Sequence, residues 1–325
     1  MNYMQTDVSS EVSDFLSYME NIKGKSKNTV KEYYYDLRMF LRYIKITKFE
    51  NKKTGFDLID QVNILDINID VIKTITLSDL YSFMTYLTRE RNLNASSRAR
   101  KVASIKSFMK YLTDKAKLLD HNPASELESP KILKKLPKYL NIDESKLLLD
   151  SVVGENEKRD YAMLTLFLNC GLRLSELVGI NINRINSDTL VVIGKGSKER
   201  TIYLNEACLD AIEEYMTERP VDKVADKNAL FLSERKKRIS NKTVQYTVKK
   251  YIISSGLDPD RYSAHKLRHT AATLMYKYGK VDICALQEIL GHESISTTEI
   301  YTHVDNSQLR DAVESNPLSK IKRKK

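Results

Sequence analysis

Apolar positions along the first third of the chain recur at helical steps. Val30, Tyr34, Leu37, Leu41 and Ile44 alternate steps of four and three, which sets them on one helix face, and Asn28 or Thr29 is placed to cap its start. Leu80, Phe83, Met84 and Leu87 form a second stripe with Thr76 or Ser78 at its head. Val102, Ile105, Phe108, Met109 and Leu112 form a third after Ser96-Ser97. Between residues 46 and 75 the pattern changes to Lys-Asn-Thr-Gly followed by Ile/Asp/Asn alternation, which predicts a loop with some extended structure. Residues 121 to 139 carry Pro123, Pro130 and Pro137 among Lys131, Lys134, Lys135 and Lys138, and proline at that density forbids a continuous helix.

Beyond Asp143-Glu144-Ser145 the pattern is helical again. Residues 159 to 169 read as a buried helix ended by Gly171, and a new helix starts near Leu174-Ser175-Glu176-Leu177. Then the period switches. Residues 189–193 and 200–204 are β-rich and flank the turn Gly194-Lys195-Gly196-Ser197, which predicts a hairpin. The remainder is helical up to a lysine-rich end. The expected organisation is therefore a helical domain over 1–122, a linker over 123–139, and a mostly helical domain with a small β-hairpin sheet over 140–325.

Composition adds three constraints. A chain of 325 residues is long enough for two cores, and 10 glycines with 6 prolines suit a mainly α protein better than a many-turned β fold. The formal net charge of +10 favours a polyanionic partner, because neutralising phosphates releases condensed counterions. Cys170, Cys208 and Cys284 are few and far apart, which predicts small buried thiols in a reducing compartment rather than a disulfide framework. The absence of an apolar leader or a membrane-length apolar run leads to the expectation of a soluble, cytoplasmic protein with no membrane partner.

Charge also falls in a pattern. Arg98, Arg100, Lys101, Lys106 and Lys110 interleave with the third apolar stripe, as a solvated face or a DNA-facing one, and on so basic a chain the second reading is preferred. Lys134 and Lys135 could track a phosphate backbone through the linker.

Four of the five histidines lie between 265 and 303. His265 and Arg268 share a helix face in His-Lys-Leu-Arg-His, and His269 follows. A metal pair at His265 and His269 is opposed by Lys266, where a zinc-protease helix needs glutamate. Arg173 precedes a helix start, where a fork of donors suits a phosphate, although Glu176 is an obvious ion-pair partner. Lys195 sits at the hairpin tip between glycines. His292 follows Gly291, and Tyr301 lies nine residues further on. A phenol ordinarily titrates near 10 and needs neighbouring cations to act as a nucleophile.

The order Arg173, Lys195, His265, Arg268, His292, Tyr301 is more specific than any of its parts. It resembles the tyrosine site-specific recombinases (phage integrase family), and within them the Xer type. Gly-Leu-Arg-Leu-Ser-Glu-Leu, His-Lys-Leu-Arg-His-Thr-Ala-Ala-Thr and Leu-Gly-His-Glu-Ser-Ile-Ser-Thr-Thr-Glu-Ile-Tyr-Thr-His-Val carry the resemblance. It covers the C-terminal domain, and the Asn28-Thr29-Val30 helix looks like the start of the family's N-terminal SAM-like, core-binding DNA clamp.

The resemblance implies a nucleophile at Tyr301 forming a 3′-phosphotyrosyl bond, and a clamp of Arg173 and Arg268 on the scissile phosphate. It also implies His265 assisting proton transfer at the tyrosine, His292 hydrogen-bonding the phosphate and Lys195 protonating the 5′-oxygen. Glu176 and His269 would support these groups from behind, as would His303. No cofactor is expected, since the phosphotyrosine conserves the bond energy, and no metal site is read from the sequence. The implied partners are a double-stranded DNA recombination site, a homo-tetramer or a hetero-tetramer with a second recombinase, and a DNA translocase as activator. The implied role is chromosome-dimer resolution through a Holliday junction; the alternative is an integrase or excisionase of a mobile element. Two departures stand out. Residues 46–75 are longer than in simple Xer proteins, and Asn316-Pro317 replaces the His-Pro of many relatives.

Overall fold

The computed structural model describes residues 7–48, 56–132, 137–194, 196, 198–279 and 281–304. The chain forms two compact units, Met1–Lys134 and Lys135–Lys325.

The first unit is helical: α1 (Ser10–Asn21), α2 (Lys27–Lys48), α3 (Ile69–Lys73), α4 (Leu77–Arg89) and α5 (Ala95–Asp114). Tyr34, Leu37, Leu41 and Ile44 turn inward from α2 against Phe15, Leu80, Phe83, Ile105 and Phe108, as the three apolar stripes predict. The caps are partly those expected. Thr76 and Asp79 form a reciprocal capping box on α4. The α2 start lies two to three residues earlier than predicted, with the Ser26 hydroxyl accepting from the Thr29 N–H at 3.3 Å. Asn94, rather than the Ser96-Ser97 pair, caps α5.

Residues 46–75 depart from expectation. Where described, they hold the end of α2, a 3₁₀ helix over Phe56–Gln61 and α3, with no strand. Ile59, Ile64, Ile67, Ile72 and Ile75 are all buried. Those residues are spaced five and three apart, a rhythm of short helical turns that mimics alternation when read locally.

The basic face of α5 also departs from expectation. Lys101 is buried, with its ammonium 2.7 Å from Asp36, whose side chain is fully buried. The Ser104 hydroxyl donates to the same carboxylate at 2.8 Å, and Arg100 pairs with both Asp36 and Glu32. Lys106 donates to the carbonyls of Ser125 and Leu127, and Arg98 to the Thr88 hydroxyl. Lys101 is thus an internal cation and not a DNA-facing one. The physical reason is a carboxylate on α2 that no sequence-local pattern links to α5.

The second unit contains α6 (Ile142–Asp150), α7 (Glu157–Cys170), α8 (Leu174–Val178), strands β1 (Ile185–Asn186), β2 (Thr189–Ile193) and β3 (Glu199–Tyr203), then α9 (Glu206–Glu218), α10 (Asn241–Ser254), α11 (Ala264–Tyr278) and α12 (Ile283–Leu290). The strands form one antiparallel sheet in the order β1-β2-β3, with Leu190 opposite Ile202. Helix α7 is central and packs against α9 and α11. Cys170 and Cys208 lie in this core with sulfurs 3.7 Å apart, whereas Cys284, expected to be buried, is exposed.

Removing one partner of a buried ion pair strands the other. Asp36→Ala should therefore lower the unfolding free energy by about 3–5 kcal/mol. Lys101→Met should cost less, because Asp36 keeps Arg100 and Ser104; urea denaturation of the two variants checks that order.

Candidate active site

The site is assembled around one carboxylate. Glu176 stands in the first turn of α8, and its side chain is 0% exposed. The backbone N–H of Arg173 donates to Glu176 Oε2 at 2.8 Å, and the Arg173 guanidinium reaches Oε1 at 2.7 Å. Arg200, on β3, donates to Oε2 at 2.8 Å. Arg268, on α11, lies 3.7 Å from Oε2. Burial by itself would raise the Glu176 pKa, but the hydrogen bond and charge of Arg200, followed by the backbone and side-chain hydrogen bonds of Arg173, outweigh it and hold the carboxyl below its ordinary range.

Three like-charged guanidiniums need more than one anion, and two helix ends supply the rest. Arg268 donates to the carbonyls of Gly171 at 2.7 Å and Leu290 at 2.6 Å. Arg173 donates to the Gly291 carbonyl at 2.5 Å, and Arg200 to that of Ile289. These carbonyls close α7 and α12, where unpaired C=O groups and the helix dipole favour cations. Gly171 and Gly291 end those helices at φ 59° and 63°, the left-handed region. A Cβ at Gly291 would stand 2.7 Å from Arg200 Cδ, so this turn admits glycine for space as well as for conformation. Burial and the neighbouring Arg173 push Arg268 down to about 10, which still leaves it charged at neutral pH.

The cluster faces a cleft of about 470 Å³ lined by Arg173, Arg200, Gly291, His292, Ser294 and Thr297, among others. His292 Nδ1 is 2.9 Å from the Thr298 hydroxyl. Burial, followed by the charge of Arg268 and Arg173, lowers His292 to about 4, so it is neutral at physiological pH. If Thr298 donates to Nδ1, Nε2 keeps its proton as a donor. Cationic guanidiniums with imidazole donors on a concave surface suit one phosphate.

Tyr301 is buried, 1% exposed, in a 3₁₀ segment over Glu299–Val304. It packs with Ala272, Leu286 and Leu290. Its hydroxyl is 2.8 Å from His269 Nδ1, and His269 Nε2 is 3.1 Å from His265 Nε2. Burial raises the phenol to about 12, against the pull of Arg268.

Most of the expected residues converge here. Arg173 and His292 line the cleft, Glu176 and Arg268 belong to the ion cluster with Arg173, and His265, His269 and Tyr301 form a hydrogen-bonded row. Sequence reading missed Arg200. Its signal was the period of β3, which places Arg200 on the same face as buried Ile202 and so points a cation toward the core. Lys195, Lys134, Lys135, the His303 side chain and the Asn316-Pro317 tail lie outside the described residues.

Residues 138–308 match the phage integrase family, and residues 56–116 match the phage integrase N-terminal SAM-like domain. The chain belongs to the phage integrase family of tyrosine recombinases. It is 55% identical, over 95% of its length and 87% of that protein, to tyrosine recombinase XerC of Caldanaerobacter subterraneus. It is 33% identical, over 92% of its length and 96% of that protein, to tyrosine recombinase XerD of Listeria monocytogenes. The fold superposes on a XerH site-specific recombinase bound to palindromic difH substrate with a TM-score of 0.67, at 21% identity and covering 94% of each chain. Within its family the chain is a DNA strand-exchange enzyme of the Xer type, and the mobile-element alternative is not favoured.

Glu176→Gln leaves the arginines without their anion and should destabilise the protein by about 3–5 kcal/mol at pH 7. A depressed carboxyl contributes stability that is present above its unfolded value, near 4.5, and is lost as pH falls through the lower folded value. The gap between wild type and variant should therefore narrow in acid; urea melts at pH 7 and pH 4 measure it.

Proposed function

We propose that the enzyme cuts and rejoins DNA through a 3′-phosphotyrosyl bond at Tyr301, in the service of chromosome-dimer resolution. The observation that supports this reading is the cluster of Arg173, Arg200 and Arg268 around buried Glu176, beside a cleft lined by Arg173, Arg200 and His292. A scissile phosphate takes its place in the cleft, where Arg173 and Arg268 hold the non-bridging oxygens and His292 donates to one of them. Their geometry is set beforehand by Glu176 and by the helix-end carbonyls. The developing charge on the pentacovalent phosphorus therefore meets donors that need no reorganisation. The Tyr301 oxygen attacks phosphorus, a P–O bond to the phenol forms, and the bond to the 5′-oxygen breaks. Lys195, which falls between β2 and β3 in the sequence, protonates the departing oxygen. The second cleaved strand's 5′-hydroxyl reverses the same step, so bond energy is retained and neither a nucleotide cofactor nor a metal enters the scheme.

Residues 1–122 act as a DNA-binding domain, 140–325 as the catalytic domain, and the linker lysines Lys134 and Lys135 follow the phosphate backbone between them. Four subunits, identical or shared with a second recombinase, act on paired sites in the cytoplasm, and a DNA translocase can license one of the two exchanges.

A nicked suicide duplex carrying the host's dimer-resolution site tests the chemistry. Wild type should give a covalent protein–DNA band on a denaturing gel and Tyr301→Phe none, while both bind the DNA; an adduct in Tyr301→Phe would place the nucleophile elsewhere. Arg173→Ala should slow cleavage by ~10²–10³-fold, the worth of one preorganised donor. EDTA should leave the band intact.

A further inference from the structure

The hydroxyl of Tyr301 meets His269, not His265. Its distance to His269 Nδ1 is 2.8 Å, and the far nitrogen of that ring stands 3.1 Å from His265 Nε2. His265 and His269 are one helical turn apart on α11, and their rings meet edge to face with centroids 4.6 Å apart. His269 and Tyr301 are half-buried and buried, whereas His265 is exposed. The row thus leads from a buried phenol to the surface through two imidazoles.

When each ring is neutral and carries one N–H, proton bookkeeping permits only two arrangements of this row. In the first, Tyr301 donates to His269 Nδ1, His269 donates from Nε2 to His265 Nε2, and His265 keeps its proton on Nδ1. In the second every bond is reversed, and His269 donates from Nδ1 to the tyrosine oxygen. The first arrangement suits a phenol and the second a phenolate.

We propose that His269 is a catalytic residue, the immediate acceptor of the Tyr301 proton, and that with His265 it forms a two-histidine relay that empties to solvent. This rests on Tyr301 being the nucleophile, as argued above. As the phenol oxygen bonds to phosphorus, its proton passes to His269 Nδ1, and the Nε2 proton of His269 passes to His265 Nε2. His265 is left as an imidazolium and sheds its Nδ1 proton to water. The 5′-oxygen gains one proton from its own acid, so the transesterification is balanced. In religation the relay runs backwards and returns a proton to the departing phenol.

The charged surroundings set when the relay runs. Partial burial and the charges of Lys266 and Arg268 on α11 push His265 below its ordinary range, and burial with the neighbouring His265, Lys266, Arg268 and His292 lowers His269 to about 4. Tyr301 faces Arg268 and His269. In the free protein the phenol therefore stays protonated and held. A phosphate in the cleft adds negative charge beside these rings and makes them better proton acceptors.

The test is single-turnover cleavage of the nicked duplex by full-length protein, with DNA binding and thermal melting as controls on folding. His269→Ala should cleave ~10²-fold or more slowly, within the range of general acid–base contributions. His269→Asn keeps an acceptor near the Nδ1 position but cannot pass a proton on, so it should be as slow as His269→Ala; near-normal cleavage by it would leave only a positioning role and overturn the relay. A duplex with a 5′-bridging sulfur, whose thiolate leaves without a proton, should not restore His269→Ala, and full recovery would move His269 to the leaving-group side. A fluorinated, more acidic tyrosine at 301 should restore it in part, and no recovery would count against proton removal. If wild type forms the adduct, Tyr301→Phe does not, and His269→Ala matches wild type, the relay alone falls. If Tyr301→Phe still forms an adduct, the nucleophile assignment falls and the relay with it.

Discussion

The ion cluster at Glu176 is the constraint on which the rest of the catalytic unit depends. A carboxylate with no exposed side-chain surface is tolerated only if every lone pair is used, and here two guanidiniums and a backbone N–H use them. The reverse also holds. Arg173, Arg200 and Arg268 repel one another, and Glu176 with the terminal carbonyls of α7 and α12 is what lets them stand together. Parts of the chain more than a hundred residues apart are thereby held in one register: the α7–α8 turn, β3, α11 and the end of α12.

That arrangement separates two tasks. The arginines are rigid, because their other donors are committed to backbone oxygens, and they form a fixed array rather than flexible side chains. Tyr301 is kept apart from that array. Tyr301 is packed among Ala272, Leu286 and Leu290 and tied to His269, so the phenol is protected from solvent. Burial keeps it protonated in the free protein.

The first unit uses the same physics for a different end. Asp36 gathers Lys101, Arg100 and Ser104 in a buried polar knot that joins α2 to α5. Cations that a helical projection places outward are drawn inside by an acid on a neighbouring helix. A basic stripe on one helix is therefore a poor guide to the surface unless the partner helix is known.

Much was legible in the sequence alone. Helical spacing gave the faces of α2, α4 and α5, the period switch gave the hairpin of β2 and β3, and the order of Arg173, Lys195, His265, Arg268, His292 and Tyr301 defined the family. These are local properties, carried by residue type and spacing within one element. Tertiary structure alone decided the fate of Lys101, the helical turns within 46–75, the part played by Arg200, and the pairing of Tyr301 with His269. Each depends on which distant element arrives opposite a side chain. Burial and ion pairing are set by that arrival, and sequence separations of 24 to 65 residues, as for Arg200 with Glu176 and Lys101 with Asp36, leave no periodicity to read.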